Sequence, residues 1–185
     1  MRTFALVLAL LAVGASVADA QDATDGSKYQ WDNLVDLLDS KNGTTEIWQL
    51  VQSAGLVDTL DELTNSTATV FIPLDESLDA TTGAGLDAAA LAKILSYHVV
   101  PGEALTLDQL TDGLILQTLV DGPEGELRVS FPAGSKKPFL ETTSGEKIQI
   151  YQYNIVAGDA IVHTIKGLLV PGTSTTFAPA PAPSS

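Results

Sequence analysis

The spacing of apolar residues changes along the chain, and this change most limits the folds available to it. Apolar residues recur at helical spacing in four segments, which predicts helices over residues 31–38, 46–54, 57–63 and 87–97. β-Branched and aromatic residues gather elsewhere in short runs bounded by turn residues. These runs predict strands over 68–72, 99–100, 114–120, 126–131, 147–156 and 160–165. Residues 107–110 are predicted to form a single helical turn.

The order of these elements selects a fold class. Helices come first and strands follow, with one helical insertion, so the alternating βαβ units of a doubly wound parallel sheet are missing. The sequence therefore predicts one α+β domain over residues 31–171, with N-terminal helices packed on a mostly antiparallel sheet that forms a wedge.

Both ends of the chain are predicted to lie outside this domain. Residues 1–20 combine Arg2, an apolar run and a small-residue cleavage pattern, which predicts a signal peptide and a secreted, extracellular product. Residues 21–30 are predicted to be a flexible leader. Residues 172–185 are rich in Ala, Pro, Ser and Thr, which predicts a disordered tail. We expect neither a membrane span nor a GPI signal.

Composition excludes several kinds of site and partner. The chain has no cysteine, so disulfides and thiolate metal sites are excluded. It has 23 acidic and 9 basic residues and a net charge of -14 at pH 7. Such a charge argues against a nucleic acid partner, because binding phosphates requires a basic surface.

Catalytic groups are scarce. Metal chemistry needs three or four converging ligands, but the chain has only two isolated histidines, His98 and His163. His98 separates an apolar helix from two valines, which indicates a half-buried imidazole that bonds to backbone. Asp75 follows Pro73 and Leu74 as a helix cap would. We therefore predict a protein that is not an enzyme and requires no cofactor.

Two sequons offer sites for N-linked glycans. Asn42 begins Asn-Gly-Thr and Asn65 begins Asn-Ser-Thr, and both lie in stretches rich in turn-forming residues. Because a signal peptide would send the chain through the secretory route, we predict glycosylation at one or both sites.

Three segments, in order, resemble the signature blocks of fasciclin (FAS1) domains. Residues 69–78 read Thr-Val-Phe-Ile-Pro-Leu-Asp-Glu-Ser-Leu and resemble the first block. Residues 95–102 contain the Tyr-His pair of the central block. Residues 154–171 resemble the closing block, which ends in a valine-isoleucine-histidine strand and a Leu-Leu-Pro stop; here the stop reads Leu-Leu-Val-Pro. The chain is thus similar to plant and green-algal fasciclin-like proteins.

This resemblance implies two alternative functions. The first is adhesion at a cell surface, in extracellular matrix or in a wall, with Tyr97 and His98 as candidate contacts. The second is a soluble carrier of an apolar ligand such as a carotenoid, since some secreted algal relatives bind these pigments. Trp48 and Gln52 lie off the buried stripe of the second helix and are the candidate ligand contacts. Adhesion leads because it is commoner in the family.

Overall fold

The computed structural model describes residues 24–25, 29–40, 43–78, 88–132 and 137–172. The predicted signal peptide, residues 21–23 and 26–28 of the predicted leader, Asn42 of the first sequon and residues 173–185 of the predicted tail lie outside these residues. Gly172, the first residue of that tail, is buried and donates its N–H to the Thr143 hydroxyl at 3.0 Å.

Helices form where helical periodicity predicted them. In the described residues they are α1 (Leu34–Asp39), α2 (Thr45–Ser53), α3 (Val57–Thr64) and α4 (Ala88–Tyr97). Single 3₁₀ turns cover Asp75–Ser77, Leu107–Gln109 and Pro123–Gly125.

The start of α1 differs from the prediction. Asn33 is extended and its side-chain oxygen accepts a hydrogen bond from the Asp36 N–H at 2.7 Å, so the helix begins only after it. Trp31 therefore lies in a strand and not on the first helix. Trp31 fitted the helical spacing by coincidence: it belongs to the short strand just before the helix, and its distance from Leu34 matches one helical turn.

Nine strands make up the described part of the sheet. They are β1 (Thr24–Asp25), β2 (Gln30–Trp31), β3 (Ala68–Pro73), β4 (Val99–Pro101), β5 (Ile115–Gln117), β6 (Glu126–Ser130), β7 (Phe139–Thr142), β8 (Lys147–Ala157) and β9 (Ala160–Ile165). Their order is β4-β3-β9-β8-β7-β6-β5, with β1 and β2 added to β8. Parallel pairing occurs between β3 and β9 and between β8 and the two short N-terminal strands, and the other pairs are antiparallel. The α+β class is confirmed.

The structure corrects the strand assignment in three places. Within the leader predicted to be flexible, Thr24–Asp25 and Gln30 belong to the two short strands that pair with β8. The strand predicted over 114–120 ends at Gln117, because Thr118 turns its N–H and hydroxyl to the Gly125 carbonyl. Strand β7 was not predicted, since its four residues are too few to show a period.

Two apolar cores position the candidate sites. The first packs α1, α2 and α3 against one end of the sheet. The second core includes residues from all seven strands from β3 to β9 in chain order, so the sheet curls around it. The curl brings the two ends of the strand order together, where Leu119 donates its N–H to the Val99 carbonyl at 2.9 Å.

Candidate functional site

His98 lies between α4 and β4 and is only 3% exposed, which is deeper than the half-buried position predicted. Its Nε2 accepts a hydrogen bond from the Leu169 N–H at 3.1 Å. The other ring nitrogen, Nδ1, must then carry the proton, and it donates to the Ile94 carbonyl at 2.7 Å. Burial lowers the pKa of His98 to about 4. The ring is therefore neutral, with both nitrogens engaged.

Tyr97 precedes this histidine and is also fully buried. Its hydroxyl donates to the Glu126 carbonyl at 2.7 Å and accepts from the Thr143 N–H at 3.4 Å. Desolvation by burial raises the pKa of the phenol. Tyr97 and His98 were candidate adhesion contacts, but neither side chain reaches the surface in this conformation. Their contacts instead join α4 to the sheet and to the C-terminal segment.

His163 lies in β9 and has the opposite tautomer. Its Nδ1 accepts from the Asn154 N–H at 3.4 Å, and its Nε2 donates to the Leu105 carbonyl at 2.9 Å. The ring stacks on Phe71 with centroids 5.7 Å apart, and burial lowers its pKa to about 4. Neither histidine has a ring nitrogen free to bind a metal or transfer a proton.

Asp75 stabilises a different helix from the one expected. Its two carboxylate oxygens accept hydrogen bonds from the N–H groups of Thr45 and Glu46, each at 2.8 Å, at the start of α2. The turn that Asp75 itself begins is a single 3₁₀ turn preceded by Leu74. The carboxylate thus has a structural partner on another element and does not pair with Glu76 for acid–base chemistry.

The remaining carboxylates also lack a metal-binding arrangement. Among the described residues, no three His, Asp or Glu side chains converge closely enough to hold an ion. Within the same part of the chain, the helices are too short or too polar to cross a membrane.

Asn65, one of the two sequon residues, lies on the surface at the C-terminal end of α3. Its side-chain amide, the group to which a glycan would be attached, donates to the Asp61 carbonyl at 2.9 Å. The exposed position is compatible with modification, and glycosylation of Asn65 stays a prediction.

Among the described residues, an apolar cavity of about 70 Å³ lies between the helices and β3. We call it the helix–sheet cavity. Its walls come from all four helices, β3, the α4–β4 junction and Leu119. The lining side chains include Ile47, Val51, Leu56, Thr59, Val70, Leu95, Ser96, His98, Val99 and Leu119.

The candidate ligand residues Trp48 and Gln52 do not line this cavity. On α2, the wall consists of Ile47 and Val51, which lie on the buried stripe of the helix. Trp48 is half-buried and packs beside the first core, whereas Gln52 is exposed. The cavity therefore lies on the adjacent, buried face of α2, and ligand contact at Trp48 and Gln52 stays a prediction.

Sequence patterns gave no sign of the cavity entrance. Thr59 is exposed on α3, and Leu119 lies between β5 and β6 with 39% of its surface accessible. Both line the same cavity because the sheet curls, and nothing in the local spacing of either segment indicates that they share a wall.

Comparison with known proteins agrees with the fold. A structure of a FAS1 domain pair from the insect cell adhesion molecule fasciclin I is similar, with a TM-score of 0.61 and 19% sequence identity. The match covers 76% of this chain and 51% of that chain, so the chain spans about half the length of the insect structure. No curated protein matches the sequence. The model of the fasciclin domain matches residues 42–171, and the chain therefore belongs to the fasciclin domain family.

Proposed function

We propose that this protein is a secreted, non-catalytic binding module that attaches to components of a cell surface, an extracellular matrix or a wall. The observation that carries the proposal is the match of residues 42–171 to the fasciclin domain. The buried, fully hydrogen-bonded histidines support the non-catalytic part, because the groups best suited to proton transfer have no access to a substrate.

Charge indicates what kind of contact to expect. With 23 acidic and 9 basic residues, the chain has a strongly negative field at neutral pH. Such a surface attracts partners with exposed basic groups and repels nucleic acids and anionic lipids. Since Tyr97 and His98 are buried, we place the adhesive contacts on other, exposed residues.

A retention assay tests this function. Purified protein would be passed over immobilised wall or matrix preparations from its source, with a domain of equal charge but unrelated fold as control. We expect retention that exceeds the control and weakens at about 0.5 M salt, where surface charges are screened within a few ångströms. Retention equal to that of the control in every preparation would contradict the proposal.

A second function, carriage of an apolar ligand such as a carotenoid, is favoured by the helix–sheet cavity. The visible absorption spectrum of protein purified from its own source tests it. A band that co-elutes with the protein at near-stoichiometric pigment supports carriage of a carotenoid. A colourless protein, also after mixing with several solubilised carotenoids, rules that ligand out.

A further inference from the structure

We propose that the helix–sheet cavity is a binding site for one compact apolar group, such as a small ring or a branched hydrocarbon end. This inference rests on the second function above, carriage of an apolar ligand, and names the class of ligand group that the site accepts. Three features of the cavity support this inference: the chemistry of its walls, its volume and the position of its entrance.

The walls leave little for water to bind. Among the described residues, the polar side chains that line the cavity, apart from His98, are Thr59 and Ser96, which lie at its less buried side. Both nitrogens of His98 are taken by the Ile94 carbonyl and the Leu169 N–H. A buried water needs two to four polar partners, so an apolar occupant is favoured over water in the deep part of the cavity.

The volume sets the size of the occupant. Pockets for drug-sized ligands measure about 300–1,000 Å³, whereas this cavity measures about 70 Å³. Its walls include the short side chains of Val51, Val70 and Val99. It admits a group of a few carbons but not the length of a polyene.

The entrance lies where the lining residues become accessible. Thr59 is exposed, Leu119 is 39% exposed, and Leu56, Leu95 and Ser96 are half-buried. A longer apolar ligand would therefore insert one end past Thr59 and leave the rest outside, against the accessible side chain of Leu119. That arrangement would bury only a part of a carotenoid.

Xenon provides a probe that matches the cavity in size and in chemistry. Amide spectra of the full protein would be recorded by NMR over a range of xenon pressures. We expect saturable shifts at Val51, Val70 and Val99, which lie on three different wall elements. In Thr59→Trp the indole would cover the entrance, and these shifts should be lost. Asp58→Trp is the matched control, because Asp58 is exposed on the same helix but does not line the cavity.

The outcomes separate the inference from the function on which it rests. Saturable shifts at the three valines that disappear only in Thr59→Trp support the cavity as the site. Shifts that are absent, lie elsewhere or survive in Thr59→Trp overturn it. If a coloured protein gives no xenon shifts at these valines, carriage stands and the site is wrong. If xenon binds but the protein has no co-purifying apolar molecule, the site stands and carriage fails.

Discussion

The imidazole of His98 accepts a hydrogen bond from the backbone N–H of Leu169, 71 residues further along the chain. The bond connects the end of α4 to the segment that follows the last strand. It exists only while the ring is neutral, because a protonated imidazole has no lone pair to accept with. The contact therefore couples the closing segment of the domain to the protonation of a buried side chain.

Acid should destabilise the folded protein through both histidines. Their pKa is about 4 in the folded protein and about 6.5 in an unfolded chain. Below pH 6.5 the unfolded state therefore binds more protons than the folded state. The stability that comes from keeping the two rings neutral is fully present above pH 6.5 and is lost as the pH falls towards 4. We expect each histidine to account for about 3 kcal/mol over this range, measured by denaturant unfolding at a series of pH values.

A variant isolates the contribution of one ring. Gln at position 98 does not titrate, so His98→Gln should reduce proton uptake on unfolding near pH 5 by about one proton. The pH slope is informative even if the variant is less stable at every pH. An unchanged slope in His98→Gln would show that this ring does not titrate on unfolding.

Asp75 should stabilise α2 although it lies beyond α3 in the sequence. Its carboxylate accepts the first two free N–H groups of the helix, and its own N–H donates to the Gly43 carbonyl at 2.8 Å. We expect Asp75→Ala to lower the free energy of unfolding by about 2 kcal/mol and Asp75→Asn to lower it less. Glu76→Ala, an exposed neighbour, is the control and should change it by less than about 0.5 kcal/mol. Equal losses for Asp75→Ala and Glu76→Ala would contradict this role.

The contact between Asp75 and α2 also shows which features can be predicted from sequence and which cannot. Helices α2 and α3 and strand β9 were found because their periodicity is local. Asp75 was assigned to the next helix since a cap is normally sought beside its own sequence position. The cavity was missed for a related reason: Thr59 and Leu119 line one cavity only after the sheet has curled. Local patterns thus predict elements, whereas these sites depend on contacts between distant elements.

Gly158 occupies the turn between β8 and β9, where a side chain would meet backbone. Its φ is +61°, and a Cβ there would lie 2.5 Å from the Thr64 carbonyl oxygen. Gly102 has φ +83° but open space around it, so Gly102→Ala measures the conformational cost alone. We expect losses of about 1 kcal/mol for Gly102→Ala and about 3 kcal/mol for Gly158→Ala in denaturant unfolding. Similar losses would show that the turn can move away from Thr64.

Filling the helix–sheet cavity should stabilise the protein. Val51 lines the cavity, so the extra methylene of Val51→Ile can enter existing space and should raise the free energy of unfolding by about 0.5–1 kcal/mol. Val129 is fully buried in the second core and does not line the cavity. Val129→Ile should overpack that core and cost about 1 kcal/mol. If both substitutions destabilise equally in chemical denaturation, the space beside Val51 is not free.

Tyr97 provides a test of whether the Tyr-His segment contacts a partner or only supports the fold. Tyr97→Phe removes the hydroxyl that bonds to the Glu126 carbonyl and the Thr143 N–H, which should cost about 1–2 kcal/mol. Tyr151→Phe is the control, because Tyr151 is only half-buried and its ring would remain beneath the Lys166 ammonium, now 4.4 Å from the ring centre.

Retention of the Tyr97→Phe protein on matrix should equal that of the unsubstituted protein under conditions where both are folded, since the hydroxyl does not reach the surface. Weaker retention with unchanged stability would instead place this tyrosine in the adhesive contact.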